Sequence, residues 1–94
     1  MRINFYATLR AAADGKTVQV DVPPPTSVNV VLHRVTELRP KLAPEFWDEK
    51  GSLREYIKVF VNGRELRNLP NGIETTLNAD DELDVFPPVG GGAG

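Results

Sequence analysis

Few side chains in this sequence could carry out a reaction. It holds no cysteine and a single histidine, His33. The first absence excludes disulfides, a thiolate metal site, and a thioester or persulfide on the chain itself. The second confines any Ser-His-Asp triad to one place, a helix with no nucleophile elbow beside it, so no catalytic residue of its own and no metal site are expected. What chemistry remains sits at the end, in Val85-Phe86-Pro87-Pro88-Val89-Gly90-Gly91-Gly92-Ala93-Gly94. Here an alternating strand runs into two prolines, which fix their own φ and donate no ladder hydrogen bond. Beyond them the peptide is almost free of side chains. Glycine is costly to order and unobstructed by a Cβ, so such a tail reads as a thread able to enter a narrow passage. From Val89 to Gly92 it extends roughly 10 Å, enough to carry a terminal carboxylate into another protein's active site. A short glycine tail alone is more often a frayed terminus; the strand and Pro-Pro ahead of it favour function.

The elements that must present this tail are modest. Ninety-four residues build one domain around one small core, and an apolar share of 40% fits a globular chain. The expected organisation is a domain over 1–89 and a flexible glycine-rich tail over 90–94. A net charge of −2, with no basic run, argues against nucleic acid as a partner. No apolar run is long enough to span a membrane, and Met1-Arg2-Ile3-Asn4 enters a strand pattern directly, so no membrane association and a cytoplasmic protein are expected.

Met1 to Thr8 alternates with Ile3, Phe5 and Ala7 on one face, and Thr17 to Val22 alternates through Val18, Val20 and Val22. With Ala13-Asp14-Gly15-Lys16 as a turn, the pair predicts a hairpin. After Pro23-Pro24-Pro25, Thr26 or Ser27 stands where a helix N-cap is wanted, and Val28, Val31, Leu32, Val35 and Leu38 give one apolar stripe that ends by Arg39, ahead of Pro40. His33 falls beside that stripe on its polar side. Lys41 to Leu53 reads as a loop with a short helical turn, with Leu42, Phe46 and Trp47 as satellite anchors. Tyr56 to Val61 is the third strand, Asn62-Gly63 a tight hairpin signal, Asn78-Ala79-Asp80-Asp81 a turn, and Glu82 to Phe86 the last strand. The order ββαβ(β)β makes an α+β fold: a mixed sheet of four to five strands packed on one main helix, the first and last strands parallel, an arrangement called a β-grasp.

If Ile3, Phe5, Ile57, Val59, Leu83 and Val85 face the helix, alternation sends Tyr6, Phe60 and Phe86 to the opposite face. Contiguous exposed aromatics mark an interface, and Pro87 and Pro88 continue it toward the tail. The competing arrangement folds the Phe46-Trp47 loop over them. Asp80, Asp81, Glu82 and Asp84 either steer a basic partner or form a solvated turn and polar face.

These residues resemble the ubiquitin-like sulfur carriers, among them the small subunit of molybdopterin synthase. The likeness covers nearly the whole chain. It runs through Phe5-Tyr6-Ala7-Thr8-Leu9-Arg10 and Val59-Phe60-Val61-Asn62-Gly63, and is most specific in Asp81-Glu82-Leu83-Asp84-Val85-Phe86-Pro87-Pro88-Val89-Gly90-Gly91-Gly92. It implies that the C-terminal glycine carboxylate is adenylated by an E1-like adenylating enzyme that uses ATP, and that a sulfur donor then displaces AMP to leave a thiocarboxylate. The carrier itself would hold no permanent cofactor. In the family's synthase the tail inserts into the molybdopterin synthase large subunit. Family members usually end at Gly-Gly, whereas Ala93-Gly94 follow here: either a peptidase trims them so that Gly92 carries the sulfur, or Gly94 is used directly, or the carrier is inactive as encoded; trimming is preferred because it exposes Gly92, with Gly90 and Gly91 behind it, at the family spacing. Ala79-Asp80 replaces the family's common Asp-Gly, so a turn that needs positive φ would force it on Asp80. The same carrier chemistry serves other sulfur-accepting enzymes, in thiamine, cysteine or tRNA thiolation, and a protein modifier forming isopeptide bonds would use the same activated glycine.

Overall fold

The computed structural model describes residues 1–88; the tail residues Gly90, Gly91, Gly92, Ala93 and Gly94 lie outside the described residues. Strand β1 (Arg2–Phe5) buries Ile3 and Phe5 completely and leaves Arg2 exposed, as its alternation requires. It ends sooner than the sequence pattern suggests. Ala7 takes a φ of +53°, the carbonyls of Tyr6 and Ala7 accept from Leu9 and Arg10, and the chain winds into helix α1 (Leu9–Ala13). Ala7 is therefore exposed rather than aligned with Phe5. Five residues are too few to show a 3.6-residue period, and only Leu9 and Ala13, one turn apart, mark the buried side. Strand β2 (Thr17–Gln19) returns antiparallel to β1 with Val18 opposite Ile3, so the predicted hairpin exists with a helical turn in its loop.

A two-residue strand β3 (Thr26–Ser27) leads into the main helix α2 (Val28–Leu38). Ser27 is the N-cap: its hydroxyl oxygen accepts from the Val30 N–H at 3.2 Å. Val28, Val31, Leu32 and Val35 are fully buried, but Leu38 is 45% exposed, against expectation. The stripe continues to Thr36 instead, because the segment carrying Trp47 covers that side of the helix and the indole N–H donates to Thr36 Oγ1 at 3.2 Å. Helix α2 stops at Leu38, with Arg39 as C-cap before Pro40. A 3₁₀ turn (Pro40–Leu42) and helix α3 (Ala43–Phe46) follow. Leu42 and Phe46 are full members of the core rather than satellites, and the Phe46 ring lies 6.4 Å from that of Phe5.

Strand β4 (Lys58–Val61) turns through Asn62 and Gly63, both at positive φ (49° and 86°), into β5 (Arg64–Glu65). This is the primed geometry that matches strand twist. Two 3₁₀ turns lead to β6 (Thr76–Leu77), which pairs with β3 in a small second sheet that the sequence does not announce. The last strand is β7 (Glu82–Phe86). The turn before it closes with Asp81 donating to the Asn78 carbonyl at 3.0 Å and accepting the Asn78 N–H at 2.7 Å. Asp80 does not take positive φ, which among the described non-glycine residues occurs only at Ala7, Asp14 and Asn62.

The main sheet runs β2-β1-β7-β4-β5, with β7 in the centre, parallel to β1 and antiparallel to β4. One face, made of Ile3, Phe5, Val59, Val61, Leu83 and Val85, is buried with α2, α3 and Ile57. This is the expected α+β β-grasp. Among the described residues no helix is long and apolar enough to cross a membrane.

Candidate functional site

Because β7 is central and its odd residues, Leu83 and Val85, point into the core, Glu82, Asp84 and Phe86 must stand on the outer face. The parallel register sets Asp84 beside Asn4, and the antiparallel one sets it beside Phe60. Tyr6 lies one step past the end of β1, held in line by its N–H to the Val85 carbonyl at 3.2 Å.

These placements gather the three aromatics expected on this face. Phe86 stacks on Tyr6 with ring centroids 4.2 Å apart and planes 7° from parallel, and it meets Phe60 edge-on at 5.5 Å and 79°. All three rings are half-buried; their exposed parts form one surface. Pro87 and Pro88 follow directly, half-buried and exposed, so the chain leaves the sheet from the rim of the aromatic cluster. Phe46 and Trp47 do not cover it. Phe46 is in the core, while Trp47 stacks on His33 at 4.1 Å on the α2 side. His33 is thus a packed surface residue, and among the described residues no group of three or more acidic or histidine side chains is placed to hold a metal ion.

A hydrogen-bonded row crosses the strands beside the rings. Thr17 donates to Asn4 Oδ1 at 2.9 Å; Asn4 Nδ2 donates to Asp84 Oδ1 at 2.9 Å and to Glu82 Oε2 at 2.7 Å; and the Tyr6 hydroxyl donates to Asp84 Oδ1 at 3.1 Å. That last bond, with burial and the Asp84 charge behind it, raises the Tyr6 pKa above its ordinary 10.0. Arg10 donates through Nε to the Phe5 carbonyl at 2.9 Å, which holds its guanidinium 5.5 Å from the Tyr6 ring centre. Of the acidic residues near the tail, Asp81 holds the turn, and Glu82 pairs with Arg2 at 3.7 Å. Sequence reasoning missed Asn4 and Arg10 as parts of this site. Asn4 could have been found, since it lies two residues before Tyr6 and so on the same strand face; Arg10 could not, since it comes from the unannounced helix α1.

The arrangement offers an aromatic platform where Pro87 and Pro88 leave the sheet, suited to seating the domain on another protein.

Comparison with known proteins fits this geometry. Small archaeal modifier protein 3 of Haloferax volcanii is 32% identical over 92 residues, covering 98% of each chain. A protein of Archaeoglobus fulgidus assigned as a sulfur carrier is 32% identical over 66 residues, 70% of this chain and 74% of that one. The crystal structure of Haloferax volcanii small archaeal modifier protein 1 superposes with a TM-score of 0.87 at 31% identity, covering 97% of both chains. The ThiS family model matches residues 3–92. With the fold and this match in agreement, the chain belongs to the ThiS family of ubiquitin-like, β-grasp proteins.

Proposed function

We propose that this chain is a sulfur carrier: its C-terminal glycine, Gly92 after removal of Ala93 and Gly94, is activated by an E1-like adenylating enzyme and converted to a thiocarboxylate. The glycine carboxylate attacks the α-phosphorus of ATP held by that enzyme, and pyrophosphate leaves. Sulfide-level sulfur, added as hydrosulfide, then attacks the acyl carbon and AMP leaves, so the carbon keeps one oxygen and gains sulfur. A carboxylate is a poor acyl donor, which is why a leaving group is installed first. All catalytic groups belong to the partner, and the carrier contributes a docking face and a thread.

The single observation that carries this reading is the stacked trio Tyr6, Phe86 and Phe60, left open on the sheet face from which Pro87 and Pro88 lead the chain away. The absence of cysteine supports it, since sulfur must then ride on the main-chain carboxylate. The acceptor that this resemblance favours is the large subunit of molybdopterin synthase, this chain being the small subunit; another sulfur-accepting enzyme would receive the same thiocarboxylate. A second reading has its own support. The 32% identity to small archaeal modifier proteins favours an additional role as a modifier that forms isopeptide bonds to lysines through the same activated glycine.

Intact mass after co-expression with the cell's own E1-like enzyme separates these. Loss of Ala93 and Gly94 with one oxygen replaced by sulfur is the expected result; adducts on lysines of other proteins would select the modifier, and an unchanged mass would end both readings.

A further inference from the structure

The outer face of the sheet is not purely apolar, and its one central charge tells what the partner must bring. Asp84 is the middle residue of the central strand, flanked across the ladders by Asn4 and Phe60 and along its own strand by Phe86. Both hydrogen bonds made to its side chain come from neutral donors, the Asn4 amide and the Tyr6 hydroxyl, and both reach Oδ1. The other charges on this face are already engaged: Arg2 with Glu82 at 3.7 Å, Lys58 with Glu65 at 3.4 Å, and Arg10 with the Phe5 carbonyl and the Tyr6 ring. Among the described residues no cation pairs with Asp84. A partner that covers Tyr6, Phe60 and Phe86 must also cover this carboxylate, and burying an unpaired carboxylate costs several kcal/mol unless the partner supplies a positive donor.

Resting on the docking role proposed above, we infer that the protein partner carries an arginine that enters the aromatic face and pairs with Asp84. Arginine suits the place better than lysine. Its planar guanidinium can lie against the Phe60 ring while its N–H groups reach Oδ2, whereas an ammonium is more strongly hydrated and gains nothing from a flat wall. The center of an interface, shielded by aromatic neighbours, is also where such a pair contributes most.

The test uses the full chain and the purified E1-like enzyme of the same cell, with calorimetric titration at several salt concentrations. Asp84→Asn keeps the oxygen that Asn4 and Tyr6 donate to, so the fold should melt at an unchanged temperature, while affinity should fall about 30-fold or more and lose part of its salt dependence. Glu82→Gln, at a carboxylate already paired with Arg2, should change affinity less than about threefold. Binding by Asp84→Asn that equals or exceeds that of the natural chain, while Phe60→Asp abolishes it, would keep the docking face and overturn the arginine. Undiminished binding by Phe60→Asp would remove the docking face itself. Self-association of the free chain that dissolves in Asp84→Asn would also overturn the inference, because the cation would then belong to a second copy.

Discussion

The two faces of the five-stranded sheet are built from the same strands by alternate residues, and they differ in what surrounds them. On the inner face Ile3, Phe5, Leu83 and Val85 have no exposed surface and belong to one hydrophobic cluster. On the outer face Tyr6 and Phe60 pack against Phe86, Arg10 lies over the Tyr6 ring, and a row of hydrogen bonds from Thr17 to Asp84 runs beside them. The inner residues exclude water in the free protein. The outer ones stay half in water, and their remaining apolar surface can be removed from it only when something docks. Burial inside stabilises the fold; burial outside would stabilise a complex.

The sharpest way to break that contrast is to truncate one residue on each face. Leu83→Ala leaves a cavity in the central strand's core side and should cost about 2–5 kcal/mol, read as a lowered midpoint in urea. Phe86→Ala, three residues on and on the other face, should cost about 1 kcal/mol, the value of an aromatic pair without full burial. Equal losses would mean that the outer face is a second core. Phe60→Asp should reverse the order of effects: binding to the E1-like enzyme should weaken by about 2 kcal/mol or more, while the urea midpoint falls less than in Leu83→Ala, since the variant loses only the Phe86 contact and sets a second carboxylate beside Asp84 on an open face. Unfolding of that variant would show that the face assignment is wrong.

The inner face was the more legible of the two in the sequence. Period-two alternation placed Ile3, Phe5, Val59, Leu83 and Val85 on one side, because the side-chain period of a strand is set by sterics and not by tertiary context. Asn62-Gly63 was equally readable, since few other pairs adopt two positive φ values cheaply. Helix α1 and the β3/β6 pair were hidden for opposite reasons: the first is shorter than two helical turns, and the second joins two-residue segments far apart in the chain, whose pairing leaves no local pattern. Leu38 and Thr36 exchanged roles because the covering element, Trp47, comes from a loop whose path no periodicity describes. On the outer face the aromatic trio followed from alternation, but the Asn4–Asp84 bond spans 80 residues and depends on the parallel register of β1 and β7. Alternation tells which face a residue takes, not which residue stands beside it.

That register makes Asn4 the next test of the outer face. Asn4→Ala removes donors to both Glu82 and Asp84 and the acceptor of Thr17, and it should cost about 1 kcal/mol of stability, less than Leu83→Ala because water can replace the lost bonds at an open face. A loss as large as that of Leu83→Ala would show that the polar row, and not the apolar layer beneath it, orders the strands.

The smallest effect is the most specific, because it depends on pH. The Tyr6 hydroxyl donates to Asp84, and that bond, then burial and the Asp84 charge, raise the phenol's pKa in the folded chain above the ordinary 10.0. A proton held more tightly in the folded state than in the unfolded one stabilises folding fully below about pH 10, and this contribution is lost as pH rises through the raised folded value. Tyr6→Phe keeps the stack on Phe86 and removes only the hydroxyl. Its stability should lie below that of the natural chain by about 0.5–1 kcal/mol at neutral pH, and the gap should close as alkali removes the proton from Tyr6. Urea midpoints across the alkaline range measure the gap, and phenolate absorbance measures the titration. A gap that stays constant through that range would mean that the hydroxyl does not engage Asp84, and the central carboxylate of the outer face would then be held by Asn4 alone.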